Sequence, residues 1–205
     1  MYYGEKLNAV THLVGAILAL TGAVVLVVLA SMSGDAWKVV SVSIYGVTLV
    51  LLYSFSTLYH SFHGRAKIIL RKLDHHSIYL LIAGSYTPFC LVTLRGPWGW
   101  SLLGVVWGLA VFGILQELRP NTGPRILSVA IYVVMGWATV VASYPLLHAL
   151  GAVGFTWLVL GGLLYTVGII FYALDAYLVH AHGIWHIFVI AGSAAHYMVI
   201  LRYVL

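Results

Sequence analysis

The residues that could do chemistry are few in this chain, and the most informative are His182-Gly-Ile-Trp-His186. Two imidazoles four residues apart lie on one helix face, roughly 6 Å apart along the axis, close enough to share a metal ion. Ser56-Thr-Leu-Tyr-His60 repeats the four-residue spacing, and Leu73-Asp74-His75-His76 adds an acid. His60, His182 and His186 together would make a three-histidine zinc site with a fourth position open to water, the arrangement of catalytic zinc. Asp74 would then hold that water and accept its proton, and Ser56, one turn before His60, would hydrogen-bond the water or a substrate. Each has a plainer alternative. The histidines would hydrogen-bond between helices, Asp74 would cap a first helical turn beside Lys72, and Ser56 would bond its own helix carbonyl. The His182/His186 pair also lacks the adjacent Glu of the soluble HExxH proteases.

Whether these groups meet depends on the elements that carry them. The 205 residues are 62% hydrophobic and 7% charged, with a mean hydropathy of +1.03, too little polar surface to cover a soluble globule. The chain therefore reads as an integral membrane protein. Its single cysteine, Cys90, rules out an intramolecular disulfide. Apolar runs measured against the ~20 residues that cross a bilayer predict seven helices, near 8–30, 39–61, 73–94, 98–116, 126–144, 153–174 and 182–203. Turn and breaker residues separate them, as in Arg95-Gly-Pro, Arg119-Pro-Asn-Thr-Gly-Pro-Arg125 and Tyr144-Pro145. A closed β-barrel is excluded, because the runs are about twice a barrel strand's length and do not alternate. The expectation is one all-α seven-helix domain over residues 1–205, with the first run retained as a span.

Lys and Arg set the orientation. With a cytoplasmic N-terminus, Lys6, Arg65, Lys67, Arg71, Lys72, Arg119 and Arg125 fall inside and Lys38, Arg95 and Arg202 outside. That asymmetry predicts an N-terminus inside and a C-terminus outside. Segment two then ends, and segments three and seven begin, on the cytoplasmic side, so Ser56, His60, Asp74, His182 and His186 converge in the inner leaflet. Glu5, Asn8 and His12 at the head of segment one join them as candidate binding residues. Ionisable groups inside a membrane are costly and usually functional, which favours a metal over scattered hydrogen bonds. His75 and His76 point elsewhere on their helix and read as interfacial or structural. His180 lies off the face shared by His182 and His186. His196 is roughly 15 Å deeper and reads as an interhelical hydrogen-bond partner. His63 and His148 read as loop residues, and Glu117 and Asp175 as solvated helix ends.

In order along the chain, Glu5, Asn8 and Thr11-His12, then Ser56 to His60, Leu73-Asp74 with Leu80-Leu-Ile-Ala-Gly-Ser-Tyr-Thr-Pro-Phe89, and His182 to His186 resemble the bacterial hemolysin III proteins. These group with the progestin and adipoQ receptor family, which includes the adiponectin receptors. The resemblance spans the chain and implies a seven-helix bundle with zinc near the cytoplasmic face, held by His60, His182 and His186, with Asp74 and Ser56 around the bound water. The same pattern resembles that of alkaline ceramidases, intramembrane zinc amide hydrolases. Few residues precede the first segment where the adiponectin receptors carry a cytosolic domain, so a stand-alone membrane protein is expected rather than a hormone receptor.

Three functions follow in order of expectation: a zinc hydrolase of lipid amide or ester bonds serving membrane homeostasis, a non-enzymatic zinc-stabilised sensor, and a pore-forming hemolysin. The residue pattern does not separate zinc from another imidazole-binding metal such as nickel or iron. Membrane lipids are the expected partners, nucleic acid is not, and a homo-oligomer is compatible with the sequence. The expected location is the bacterial inner (plasma) membrane.

Overall fold

The computed structural model describes residues 4–118 and 125–205, and the predicted turn containing Arg119 lies outside the described residues. Seven α-helices account for most of them: α1 (Lys6–Met32), α2 (Ala36–Ser61), α3 (Gly64–Pro88), α4 (Pro97–Glu117), α5 (Ile126–Trp137), α6 (Ser143–Ala173) and α7 (Ala181–Val199). A π-helical turn, Phe89–Thr93, continues α3, a 3-10 turn, Ala138–Ala142, joins α5 to α6, and a second π turn, Ile200–Val204, ends the chain. No strand occurs among the described residues.

Local chemistry explains several boundaries. Asp35 caps α2 by accepting a hydrogen bond from the Trp37 amide at 2.8 Å, and α4 opens on Pro97, whose missing N–H costs nothing in a first turn. The predicted break at Tyr144-Pro145 is not where the backbone bends. Pro145 sits in the first turn of α6, and the bend falls at Gly151, whose φ of +67° suits glycine. The apolar span read as starting at 153 therefore follows the bend directly. α3 starts nine residues before the predicted segment, because the charged stretch from Arg65 to Lys72 is helical although it is not apolar.

Among the described residues, five helical stretches are long and apolar enough to cross a membrane: α1, α2, α4, Ile126–Ala173 and Ala181–Val204. The fourth, at 48 residues, contains both α5 and α6, and α3 falls short on composition because of its basic first half. Helices next to one another in sequence pack together, most extensively α1 with α2 and least α5 with α6, and α7 returns against α1 to close the ring. α2 and α3 contribute most to the interior, α2 burying Tyr45, Leu49, Leu52 and Tyr53 and α3 burying Tyr79, Leu81 and Tyr86. Large apolar side chains on α1 face outward, with Ile17 and Leu18 each 59% exposed. A surface of this kind needs lipid to cover it.

Candidate metal centre

His60 is in the last turn of α2, and His182 and His186 are in the first two turns of α7. Closure of the ring brings these helix ends together beside the start of α1. At Gly183 an added Cβ would lie 2.7 Å from Leu7 Cγ and 3.1 Å from Asn8 Oδ1, so only glycine lets α1 approach α7 this closely. The three imidazoles each offer one nitrogen, and these atoms lie within 4.8 Å of one another. Ring centroids are 4.7 Å apart for His182 and His186, 5.0 Å for His60 and His182, and 5.1 Å for His60 and His186.

The two nitrogens of each ring are used differently. Every Nδ1 has a partner: His60 donates to Glu5 Oε2, His182 to Asp175 Oδ2 at 3.0 Å, and His186 to the Asn8 carbonyl at 3.1 Å, with the Thr11 hydroxyl 3.2 Å away. Every Nε2 is buried and has none. Hydrogen bonds at Nδ1 fix the tautomer that leaves a lone pair on Nε2, the form in which imidazole binds a metal. Three histidines so close together, each with a buried, unpartnered acceptor, would be costly without an ion to share, so the site fits a metal with three histidine ligands.

Glu5 also bonds Lys67 Nζ at 2.5 Å. Burial alone would raise its carboxyl, but the hydrogen bonds from Lys67 and His60 outweigh that and hold it below the ordinary carboxylate range. Asn8 serves through its backbone carbonyl. His12 lies outside the ligand set, stacked on His186 with centroids 3.5 Å apart and edge-on to Tyr53 at 5.0 Å, with neither nitrogen bonded. Ser56 and Asp74 are both buried. The Ser56 hydroxyl lies beside the Asp74 carboxyl, outside ordinary hydrogen-bond geometry.

Two helix ends expected to be solvated are engaged instead. Asp175 orients His182 from the turn between α6 and α7. Glu117, with its side chain 10% exposed, pairs with Arg125 and accepts from the Tyr79 hydroxyl at 3.2 Å. His196 bonds the Leu158 carbonyl at 3.1 Å, as expected of an interhelical partner. His180 caps α7 in a left-handed conformation, away from the cluster. His148 is helical rather than in a loop, bonding the Tyr144 carbonyl of its own turn. Asp175 and Thr11 were not legible as site residues: one acts across a turn, the other across a helix contact, and neither leaves a periodic signal.

Beside the histidines a cavity of about 130 Å³ opens between the helices, with His12 and Asp74 on its wall together with Tyr132, Tyr172 and Trp185. A second, of about 70 Å³, continues it past Tyr86, Gly162 and His196 to Leu102 and Phe155. Apart from the groups near Asp74, a few hydroxyls and His196, the walls are apolar.

The sequence profile of the haemolysin-III-related family matches residues 2–197. Hemolysin-3 of Bacillus cereus is 46% identical over 202 residues, covering 98% of this chain and 92% of that protein. The Hemolysin-3 homolog of Bacillus subtilis (strain 168) is 46% identical over 200 residues, covering 97% and 93%. The human monocyte to macrophage differentiation factor is 30% identical over 210 residues, covering 98% and 84%. Matches of this extent, with the all-helical apolar fold and the buried histidine cluster, show that the chain is a multi-pass membrane protein belonging to the haemolysin-III-related family, within the wider progestin and adipoQ receptor group.

Proposed function

We propose that this protein is a zinc-dependent hydrolase of lipid amide or ester bonds, working in the inner leaflet of a bacterial plasma membrane as a single seven-span domain with its N-terminus in the cytoplasm. The observation that carries the proposal is the cluster of three histidines, each with an unpartnered Nε2, beside an apolar cavity whose wall includes a buried carboxyl group. A zinc ion bound there would supply a Lewis acid for the scissile carbonyl and lower the pKa of a nearby water. His60, His182 and His186 would hold the ion, and Glu5, Asp175 and the Asn8 carbonyl keep the rings aimed. Asp74 takes the proton from the attacking water and returns it to the leaving group, and Ser56 Oγ, beside the Asp74 carboxyl, donates to the developing oxyanion. The cavity beyond receives the acyl chain and keeps bulk water out.

A second reading rests on the same site. The ligands come from α2 and α7, far apart in sequence, so a metal would staple the bundle as structural ions do, and the protein would sense lipid rather than cleave it. A pore has less support, because the cavity walls are largely apolar. The separating experiment incubates zinc-loaded protein with long-chain lipid amides and esters in liposomes and measures released fatty acid. Turnover by wild type and none by Asp74→Asn supports the hydrolase; equal release by both overturns the role of Asp74, and release by neither leaves the sensor.

A further inference from the structure

Asp74 is preceded on its own helix by two cations at helical spacing. Lys67, Arg71 and Asp74 stand at i, i+4 and i+7, one stripe of α3 that leads to the cavity wall. Lys67 is engaged, bonded to Glu5 and lying 4.9 Å from the Tyr59 ring centroid. Arg71 is exposed and makes no hydrogen bond or ion pair with any described residue, though its charge acts on Tyr59 and His75.

The surface around Arg71 mixes two kinds of group. Ile68 and Ile69 are 57% and 62% exposed, interleaved with exposed Arg65, Arg71 and Lys72. Neither water nor hydrocarbon suits both, whereas an interface between headgroups and acyl chains does. From Asp74 to Thr93, α3 and its π turn run roughly 30 Å, the thickness of a hydrocarbon core. Residues 64–73 then fall in the headgroup layer. A lipid whose tail fills the cavity and whose scissile bond faces Asp74 leaves its headgroup outside, level with Arg71.

We propose that Arg71 binds the phosphodiester of an anionic membrane lipid, so that the site takes acidic phospholipids in preference to uncharged lipids. The assignment of that lipid as substrate rests on the hydrolase reading; the binding itself does not. A guanidinium can grip two phosphate oxygens at once, and the neighbouring basic residues favour a net negative headgroup over a zwitterionic one.

The test measures equilibrium binding of phosphatidylglycerol and phosphatidylcholine to the full chain in detergent by native mass spectrometry, without turnover. Wild type is expected to retain phosphatidylglycerol over phosphatidylcholine. Arg71→Gln should weaken phosphatidylglycerol about fivefold, the effect of one charge near a headgroup, and Arg71→Lys should recover part of it. Arg65→Gln, off the stripe, should change binding less than Arg71→Gln does. Equal losses in Arg65→Gln and Arg71→Gln would mean a diffuse basic surface and overturn the site. So would equal retention of the two lipids, or displacement by inorganic phosphate at the same concentration as the lipid, which would mean a free-phosphate site. A protein that binds phosphatidylglycerol through Arg71 but cleaves nothing overturns only the hydrolase reading.

Discussion

Replacing Asp175 with Asn tests whether the hydrogen bonds behind the histidines serve a metal. Asp175 Oδ2 is 3.0 Å from His182 Nδ1, and its side chain is 47% exposed. Asn keeps the size and an acceptor oxygen but removes the charge that makes the imidazole a better ligand. Loss of such an outer partner costs about 10- to 100-fold in metal affinity, or roughly 1.4–2.7 kcal/mol. Solvent screens Asp175, so about 10-fold is expected for Asp175→Asn. Glu5, 25% exposed and set against the buried ring of His60, should approach about 100-fold on change to Gln. Competition with a chromophoric zinc chelator, on protein purified in detergent, reads both constants. The melting temperature of metal-free Asp175→Asn should match that of metal-free wild type, because the partner sits in an exposed turn. Wild-type zinc affinity in both variants would refute the reasoning, as would a weakening matched by an equal loss of stability without metal.

Further outcomes follow from the same geometry. Asp74→Asn should keep its zinc while lipid hydrolysis falls by about 10²- to 10⁴-fold, measured by fatty-acid release, since general acid–base assistance is lost and the ligands are intact. Gly162→Phe should shorten the accepted acyl chain: Gly162 borders both cavities, and an added Cβ there meets nothing within 4 Å, so the ring grows into the space a tail would use. Hydrolysis should therefore shift towards shorter acyl chains, with zinc content unchanged. Gly99→Ala should destabilise the fold by about 1–3 kcal/mol in thermal unfolding without touching the metal, because its Cβ would press on the Leu94 carbonyl oxygen at 2.7 Å, and backbone cannot rotate away.

The site's core was legible because helical spacing and the parity of the spans both constrain it. Spacing of four put His182 and His186 on one face, and the count of spans brought His60 and Asp74 to the same side. Of the outer partners, Glu5 and Asn8 were placed at the site by their position at the head of the first segment, whereas their roles and Asp175 were not legible. Asp175 reaches His182 only through the turn from Leu174 to His180, and Asn8 acts through a carbonyl that carries no side-chain identity. Hydropathy located the seven helices but understated α3, whose first turns are helical and basic at once. The bend in α6 fell at Gly151 rather than at Pro145, because proline is tolerated in a helix's first turn whereas a positive φ asks for glycine. Glu117 looked solvated because its partners lie on other elements, Arg125 at the head of α5 and Tyr79 on α3.

Elemental analysis of purified wild type beside His186→Ala tests the central claim most directly. His186 is fully buried and its Nε2 has no protein partner, so the account predicts about one zinc per chain in wild type and none in the variant. A wild type free of transition metal, or a variant that keeps its full complement, would contradict it.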